Sequence, residues 1–275
     1  MSYASVLVHV DHEAPLEGRC SIAAELADRF HALLIGVAAW APMAVFPPAE
    51  EVSEKPAVGD FHLQDMKTLL DQKGKEFCAA FGTPDRRVEW RSILDFPTEA
   101  VARQARAADL VIIASLGESK DPFRALDPGS TILKAGRPVL VVPKGLASLT
   151  PRRIAVAWKD VREARRAVVD ALPLLRAAEE IVLIEILEEG DENGSADRLK
   201  DVASHLARHR VVTVTRQVRP ADVTAGDALV RFVKDANMDV LIAWAYGHSR
   251  LGEWAFGGVT RDLLAGSPIC CLFSN

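Results

Sequence analysis

The sequence predicts an α/β protein made of two similar halves, each with a parallel sheet covered by helices on both faces. Three observations lead to this prediction: two segments recur in order, short apolar runs alternate with amphipathic stretches, and the last run of each half follows a proline. A run such as LVIIA is apolar at every position, as in a parallel strand buried on both faces. Alternation of such strands with helices specifies parallel pairing through right-handed crossovers.

The internal repeat is visible in two pairs of segments. LVIIASLG and GRPVLVVP in the first half resemble VLIAWAYG and GSPICCLF in the second, which pairs Asp109 with Asp239 and Pro138 with Pro268. These pairs lie 130 residues apart, whereas the opening runs SVLVHVD and RIAVAWKD lie about 148 apart. We place the extra residues of the first half at 41–58, where four prolines and the lack of an apolar period indicate a loop.

This alignment predicts two domains, residues 1–147 and 148–275, with five strands each. The strands predicted for the first domain are 5–10, 33–40, 87–94, 109–114 and 138–142, and those for the second are 153–158, 180–187, 211–216, 239–244 and 268–273. The last strand of each domain is strongly apolar, and an uncovered apolar edge strand invites aggregation. We therefore expect these two strands to pair with each other and to make the chain an internal pseudo-dimer.

Composition and charge exclude several classes of protein. Hydrophobic residues make up 49% and charged residues 26%, an ordinary globular composition. The net charge is −5 and neither half is basic, which argues against nucleic acid and anionic membranes as partners. No basic residue precedes the first apolar run, and no run approaches the ~18 residues of a membrane span, so we expect a cytoplasmic protein. The four cysteines lack CxxC spacing, which favours buried thiols.

The expected ligand site lies beyond the carboxyl ends of the strands, where the winding direction of an open parallel sheet reverses. The loops at this place are 11–14, 115–128, 159–162 and 245–256. Both long loops end in glycine at a predicted helix start, Gly129 in the first half and Gly257 in the second. Because the first backbone amides of a helix have no partner within it, such a start is suited to a phosphate.

At these residues the chain resembles the universal stress protein family in its tandem form, over almost its whole length. The resemblance rests on the opening VHVD, the glycine after the fourth strand, the Gly-led helix start and the Pro-led last strand. It implies two Rossmann-like domains, each with a five-stranded parallel sheet of order 3-2-1-4-5 flanked by helices. In one subclass it also implies ATP binding through an Asp after strand 1 and the motif Gly-x2-Gly-x9-Gly-Ser/Thr after strand 4.

Each half departs from this ATP motif. The candidate binding residues of the first half are Asp11, Gly117, Gly129, Ser130 and Thr131. Those of the second half are Lys159, Gly247, Arg250, Gly257 and Gly258. Lys120 and Arg250 replace the middle glycine, and Lys159 replaces the Asp. A lysine cannot accept hydrogen bonds from a ribose, but with Arg250 it can hold an anion smaller than a triphosphate. The alternative is that these loops bind no ligand: their glycines allow tight turns, and Ser130 caps a helix.

Other groupings point to a ligand less strongly. The cluster His9, Asp11 and His12 and the helical pair His205 and His209 contain metal-ligand side chains, but a polar strand end and a solvated helix face explain them better. No metal site is predicted. The aromatic residues around the second crevice can stack on a planar ligand or fill the core, and we favour the core: Trp158, Trp244, Tyr246, Trp254 and Phe256.

No catalytic constellation is present. The sequence lacks a P-loop, a GxGxxG after a strand and a GxSxG, and His248 and Ser249 are chain neighbours that do not form a nucleophile–base pair. We therefore predict a non-catalytic universal stress protein that binds a small molecule or a protein partner, without a firm cofactor. The alternative is an ATP-binding stress protein with weak ATPase or autophosphorylation activity, and association into a homodimer also stays open.

Overall fold

The computed structural model describes residues 2–11, 14–42, 60–115, 124–187, 190–220, 222–245, 247–250 and 253–275. The strands are β1 (Ser5–His9), β2 (Leu33–Ala39), β3 (Val88–Ile93), β4 (Leu110–Ala114), β5 (Val139–Val142), β6 (Arg153–Trp158), β7 (Glu180–Ile186), β8 (Val214–Val218), β9 (Val240–Trp244), β10 (Gly247–Arg250), β11 (Glu253–Phe256) and β12 (Cys270–Ser274). The helices are α1 (Arg19–Phe30), α2 (Asp60–Phe81), α3 (Pro97–Gln104), α4 (Pro128–Ala135), α5 (Arg162–Asp170), α6 (Leu172–Ala177), α7 (Glu192–Arg208), α8 (Ala225–Asp235) and α9 (Gly258–Gly266).

Ten of the strands form one sheet with the order β3-β2-β1-β4-β5-β12-β9-β6-β7-β8. Each half therefore contributes five parallel strands in the predicted order 3-2-1-4-5. The two closing strands, β5 and β12, pair antiparallel in the middle, with Leu140 opposite Leu272. The predicted pairing of these strands is confirmed, and it removes an apolar edge from each half.

The repeated aspartates have the same structural role in both halves. The Asp109 carboxylate accepts hydrogen bonds from the backbone amides of Ala4 and Ser5, at 2.8 and 3.1 Å. The Asp239 carboxylate likewise accepts hydrogen bonds from the backbone amides of Arg152 and Arg153 at the start of β6, at 2.9 and 2.7 Å. Because each aspartate precedes strand 4 of its half, it fixes the neighbouring strand 1 in register, which explains why the repeat keeps an acid at this position.

Two layers of apolar side chains cover the two faces of the sheet. Alternate residues of each strand enter different layers: in β4, Ile112 joins one cluster, and Val111 and Ile113 join the other. Each cluster contains residues of both halves, so the core is continuous across the junction of β5 and β12. No helix within the described ranges is both long enough and apolar enough to span a membrane.

Two elements of the second half differ from the sequence prediction. Strand β8 begins at Val214 instead of residue 211, because Arg210 is left-handed (φ 64°) and the Val211 amide donates back to the carbonyl of Leu206. Val211 is therefore buried just after the C-terminus of α7 and does not belong to the strand. The predicted loop 245–256 contains the antiparallel hairpin of β10 and β11. Of the predicted insertion 41–58, residues 43–58 lie outside the described part of the chain.

The junction of the two halves can be tested with Leu272→Ala. Leu272 is fully buried at the pairing of β5 and β12, so its truncation leaves a cavity and should lower the free energy of unfolding by about 2–5 kcal/mol. Urea titration followed by circular dichroism measures this. Val212→Ala is the matched control, because Val212 is 84% exposed and its truncation should change stability by less than ~0.5 kcal/mol. Similar losses for both variants would contradict the assignment.

The prediction of buried thiols holds for Cys20, Cys270 and Cys271 but is wrong for Cys78, which is exposed on α2. Burial raises the pKa of Cys20 to about 11 and that of Cys271 to about 12. Since the thiolate is the reactive form, these thiols should react slowly at pH 8. A thiol reagent should modify one cysteine quickly in the native protein and four after unfolding. Cys78→Ser should remove the fast phase, and a fast phase that persists would contradict the structure.

Candidate functional site

The strand register shows which residues of the two halves are equivalent at the carboxyl ends of the strands. Val8 pairs with Gly36 and Ile112, and Val156 pairs with Leu183 and Ile242. Counting onward from these pairs lists the equivalences: Asp11 with Lys159, Ala38 with Glu185, and Trp40 with Leu187. The two halves share a scaffold but carry different chemistry at the same edge.

The second half contains a cavity of about 420 Å³ at this edge. It lies where β6, β7 and β9 end and where α9 begins, which is the switch point of that half. Its wall includes two tryptophans, a lysine, a buried acid, an arginine and the first turn of α9: Trp158, Lys159, Glu185, Arg198, Trp244 and Val259. The volume falls within the range of about 300–1,000 Å³ that is usual for small-molecule sites.

The start of α9 presents uncapped backbone amides to this edge. Its N-cap is Gly257, no side chain of the described residues accepts a hydrogen bond there, and the first turn carries no acid. A Cβ added to Gly257 or Gly258 would meet no described atom within 4 Å, so the space in front of the helix is open. Together with Lys159, this end of the cavity is positive and suited to an anion.

Trp158 adds a second feature of a binding site. Trp158 lines the cavity and has a relative exposure of only 6%. Its indole Nε1 is buried and finds no hydrogen-bond acceptor among the residues that the structure describes. Because an indole N–H only donates, an acceptor atom of a ligand would satisfy it.

A charged cluster forms another wall of the cavity. Glu185 is buried at the end of β7, and its carboxylate accepts hydrogen bonds from Ser195 Oγ and Arg198 Nε, both at 2.9 Å. Arg198 Nη2 also donates to Asp191 at 2.5 Å. Hydrogen bonds to Asp191 and Glu185 raise the pKa of the Arg198 guanidinium. The sequence analysis missed this cluster, although a Glu inside the apolar run EIVLIEI was a signal.

The corresponding edge of the first half is lined by a small cavity and a larger cleft beside it. The small cavity measures about 30 Å³ and is lined by His9, Asp11 and Arg124, among others. The guanidinium carbon of Arg124 lies 4.4 Å from the centre of the Trp40 ring, which is a cation–π contact. Four residues of this small cavity also line an adjoining cleft of about 490 Å³, which extends toward Gly18 and Lys144: Asp11, Arg19, Ala114 and Ser115.

The start of α4 is capped by a carboxylate. The Ser130 amide donates to Asp127 Oδ2 at 2.6 Å, and the Thr131 amide donates to the Asp127 carbonyl at 3.0 Å. Pro128 has no N–H. Asp127 therefore caps this helix in place of Ser130, and it places a negative charge where a phosphate would bind.

The remaining candidate residues are distributed as follows. Gly129 is buried in the first turn of α4, Gly247 and Arg250 are the ends of β10, and Gly117 and His12 lie outside the described residues. Within the described ranges, no three His, Cys, Asp or Glu side chains come together as a metal site. His205, in the last turn of α7, and His209, at its C-cap, contact each other edge-to-face with ring centroids 4.8 Å apart.

The sheet order and its carboxyl-edge cavity define a tandem doubly wound α/β protein. Its fold is that of the universal stress proteins. The chain superposes on a universal stress protein from Archaeoglobus fulgidus with a TM-score of 0.66 and 14% identity, covering 99% of this chain and 98% of that one. A functionally unknown protein from Pseudomonas aeruginosa gives a TM-score of 0.59 and 15% identity over 99% and 92% of the two chains. No protein-family model and no curated protein matches the sequence. The fold that the resemblance implied is confirmed.

The two possible caps of α4 can be distinguished by mutation. Asp127→Ala removes the acceptor of the Ser130 amide and should lower the free energy of unfolding by about 0.5–2 kcal/mol. Ser130→Ala should change it by less than ~0.5 kcal/mol, because the Ser130 backbone amide is retained. Urea unfolding of both variants gives the comparison. A larger loss for Ser130→Ala than for Asp127→Ala would assign the cap to the serine.

Proposed function

We propose that this chain is a cytoplasmic tandem universal stress protein that binds a small anionic ligand in its second half and catalyses no reaction. The first half acts as its structural counterpart in an internal pseudo-dimer. The observation that carries the proposal is the difference between the two helix starts at equivalent places. Asp127 caps α4, whereas no described side chain caps α9. The start of α9 lies beside a cavity of about 420 Å³ that is also lined by Lys159 and by Trp158, whose indole N–H has no acceptor among the described residues.

The charges around the cavity support a ligand with a single anionic group over a triphosphate. Lys159 and Arg198 face three carboxylates, those of Asp160, Glu185 and Asp191. Asp160 is paired with Arg165, which lies on α5. A monoanion can occupy the positive end alone, but a triphosphate would extend its charge toward the carboxylates, and like charges close together repel.

ATP binding in the first half is the weaker proposal. Its motif residues Asp11, Gly129 and Ser130 favour it in sequence, but Asp127 already uses the Ser130 amide and Arg124 stacks in the crevice. A bound triphosphate would have to displace both groups. Native mass spectrometry of the purified chain would detect a retained nucleotide and would reverse this ranking.

The proposed anion site can be tested by titrating inorganic phosphate and following the five tryptophan indole N–H signals by nitrogen-15 NMR. Assignment by Trp158→Phe identifies the reporter. We expect the Trp158 signal to shift because its N–H gains an acceptor. The Trp90 signal should stay, since its Nε1 already donates to Ser92 at 2.9 Å.

Lys159→Ala should weaken this phosphate binding by about tenfold or more, because hydrogen bonds to charged groups contribute about 1.5–3 kcal/mol. The matched control is Lys144→Ala, which removes a lysine beside the separate first-half cleft and should leave the affinity unchanged. An unmoved Trp158 signal, or equal losses in both variants, would refute the proposed site.

A further inference from the structure

We infer that the cluster of Glu185, Asp191 and Arg198 recognises hydroxyl groups, so that the ligand of the second-half cavity is a phosphorylated sugar and not a bare anion. This inference rests on the proposed anion site at α9. It adds a second recognition element in another wall of the same cavity. The two elements bind different chemical groups and can therefore be tested separately.

The first half serves as an internal control for what the fold itself needs. The residue equivalent to Glu185 is Ala38, which is fully buried in β2. The same strand position is thus filled by a methyl group in one copy and by a buried carboxylate in the other. Since the scaffold forms without a charge there, folding does not explain the presence of Glu185.

Stability does not explain the cluster either. Burying the Glu185 carboxylate removes its hydration, and replacing a buried charge and its partner by apolar residues is often neutral or stabilising. Asp191 lies at the N-cap of α7, where an aspartate ordinarily caps the helix, yet its side chain makes no cap hydrogen bond. It is turned to Arg198 instead. The Asp191 side chain therefore accepts a hydrogen bond from Arg198 instead of capping α7.

Close approach around Asp191 is built into the start of α7. A Cβ added to Gly194 would lie 2.2 Å from Asp191 Oδ1 and 3.1 Å from Arg198 Nη1. A side chain at this position would therefore shift the Asp191 carboxylate. The hydrogen bonds from Arg198 to Glu185 and to Asp191 join the three groups into one cluster.

The composition of the cluster favours a hydroxyl over an ammonium. Two carboxylates and one guanidinium offer both acceptors and donors, and Arg198 is about one-third exposed. A hydroxyl both donates and accepts, so it can pair with a carboxylate and with Arg198 together. An ammonium only donates and would be repelled by the guanidinium. Glu185 also lies at the end of the second strand of its half, and dinucleotide-binding doubly wound proteins use an acidic residue in this region to bind ribose hydroxyls.

Isothermal titration calorimetry with three probes tests the inference: inorganic phosphate, 2-deoxyribose 5-phosphate and ribose 5-phosphate. We expect ribose 5-phosphate to bind about tenfold or more tightly than the deoxy probe, since one hydrogen bond to a charged group is lost. Glu185→Gln keeps the shape but removes the charge and should abolish this preference. The affinity for inorganic phosphate should not change, because phosphate binds at the α9 end.

A second variant protects the test against a folding defect in Glu185→Gln. Asp191 is more exposed than Glu185, so Asp191→Asn should fold normally and should still reduce the preference for ribose 5-phosphate by several-fold. Circular dichroism checks that both variants are native.

Each other outcome overturns a specific claim. Phosphate binding without any preference among the probes would refute hydroxyl recognition while leaving the anion site intact. Loss of phosphate affinity in both folded variants would show that the cluster only supports the structure. Tighter binding of phosphoethanolamine than of ribose 5-phosphate would replace the hydroxyl by an ammonium. Failure of all probes to bind would refute the proposed anion site and this inference with it.

Discussion

The antiparallel pairing of β5 with β12 is the interaction on which the rest of the structure depends. It joins two five-stranded sheets into one and lets both apolar layers continue across the junction. Contacts between the halves reinforce it: the Tyr3 hydroxyl donates to the carbonyl of Asp170 at 2.7 Å, and the Leu149 amide donates to Glu25. Because the pairing is antiparallel, the carboxyl ends of the two sets of strands lie at opposite edges of the sheet. The two crevices therefore cannot share one ligand, and each must be explained by its own residues.

Much of the fold could be predicted because its signals are local and occur twice. The apolar runs, the prolines before β5 and β12, and the aspartates 109 and 239 each mark the same point in both halves. The start of β8 could not be predicted, since Val211 looks like a strand residue and is buried only because Arg210 turns the chain at the end of α7. The hairpin of β10 and β11 has no apolar alternation and no two-residue turn motif that would have indicated it.

The candidate site was predictable in position but not in chemistry. The glycines at 129 and 257 marked both helix starts, yet whether a helix start is open depends on the residue before it. Asp127 closes one, and Gly257 leaves the other open. The cluster around Glu185 was harder to foresee, because Ser195 and Arg198 lie 10 and 13 residues further along the chain. Only the return of α7 over the end of β7 brings them together.

The proposed division of stability and binding between the two halves has a physical basis in their hydrogen-bond partners. In the first half Asp127 accepts a hydrogen bond from the Ser130 amide at the helix start, and the Arg124 guanidinium lies over the Trp40 ring. In the second half the α9 amides and the Trp158 indole lack a partner among the described residues, so part of their hydrogen-bonding energy is available only when a ligand supplies acceptors. A ligand that binds the folded state alone then stabilises it in proportion to the logarithm of its concentration. In the proposed function, the second half responds to that concentration and the first half contributes its strands to the shared sheet.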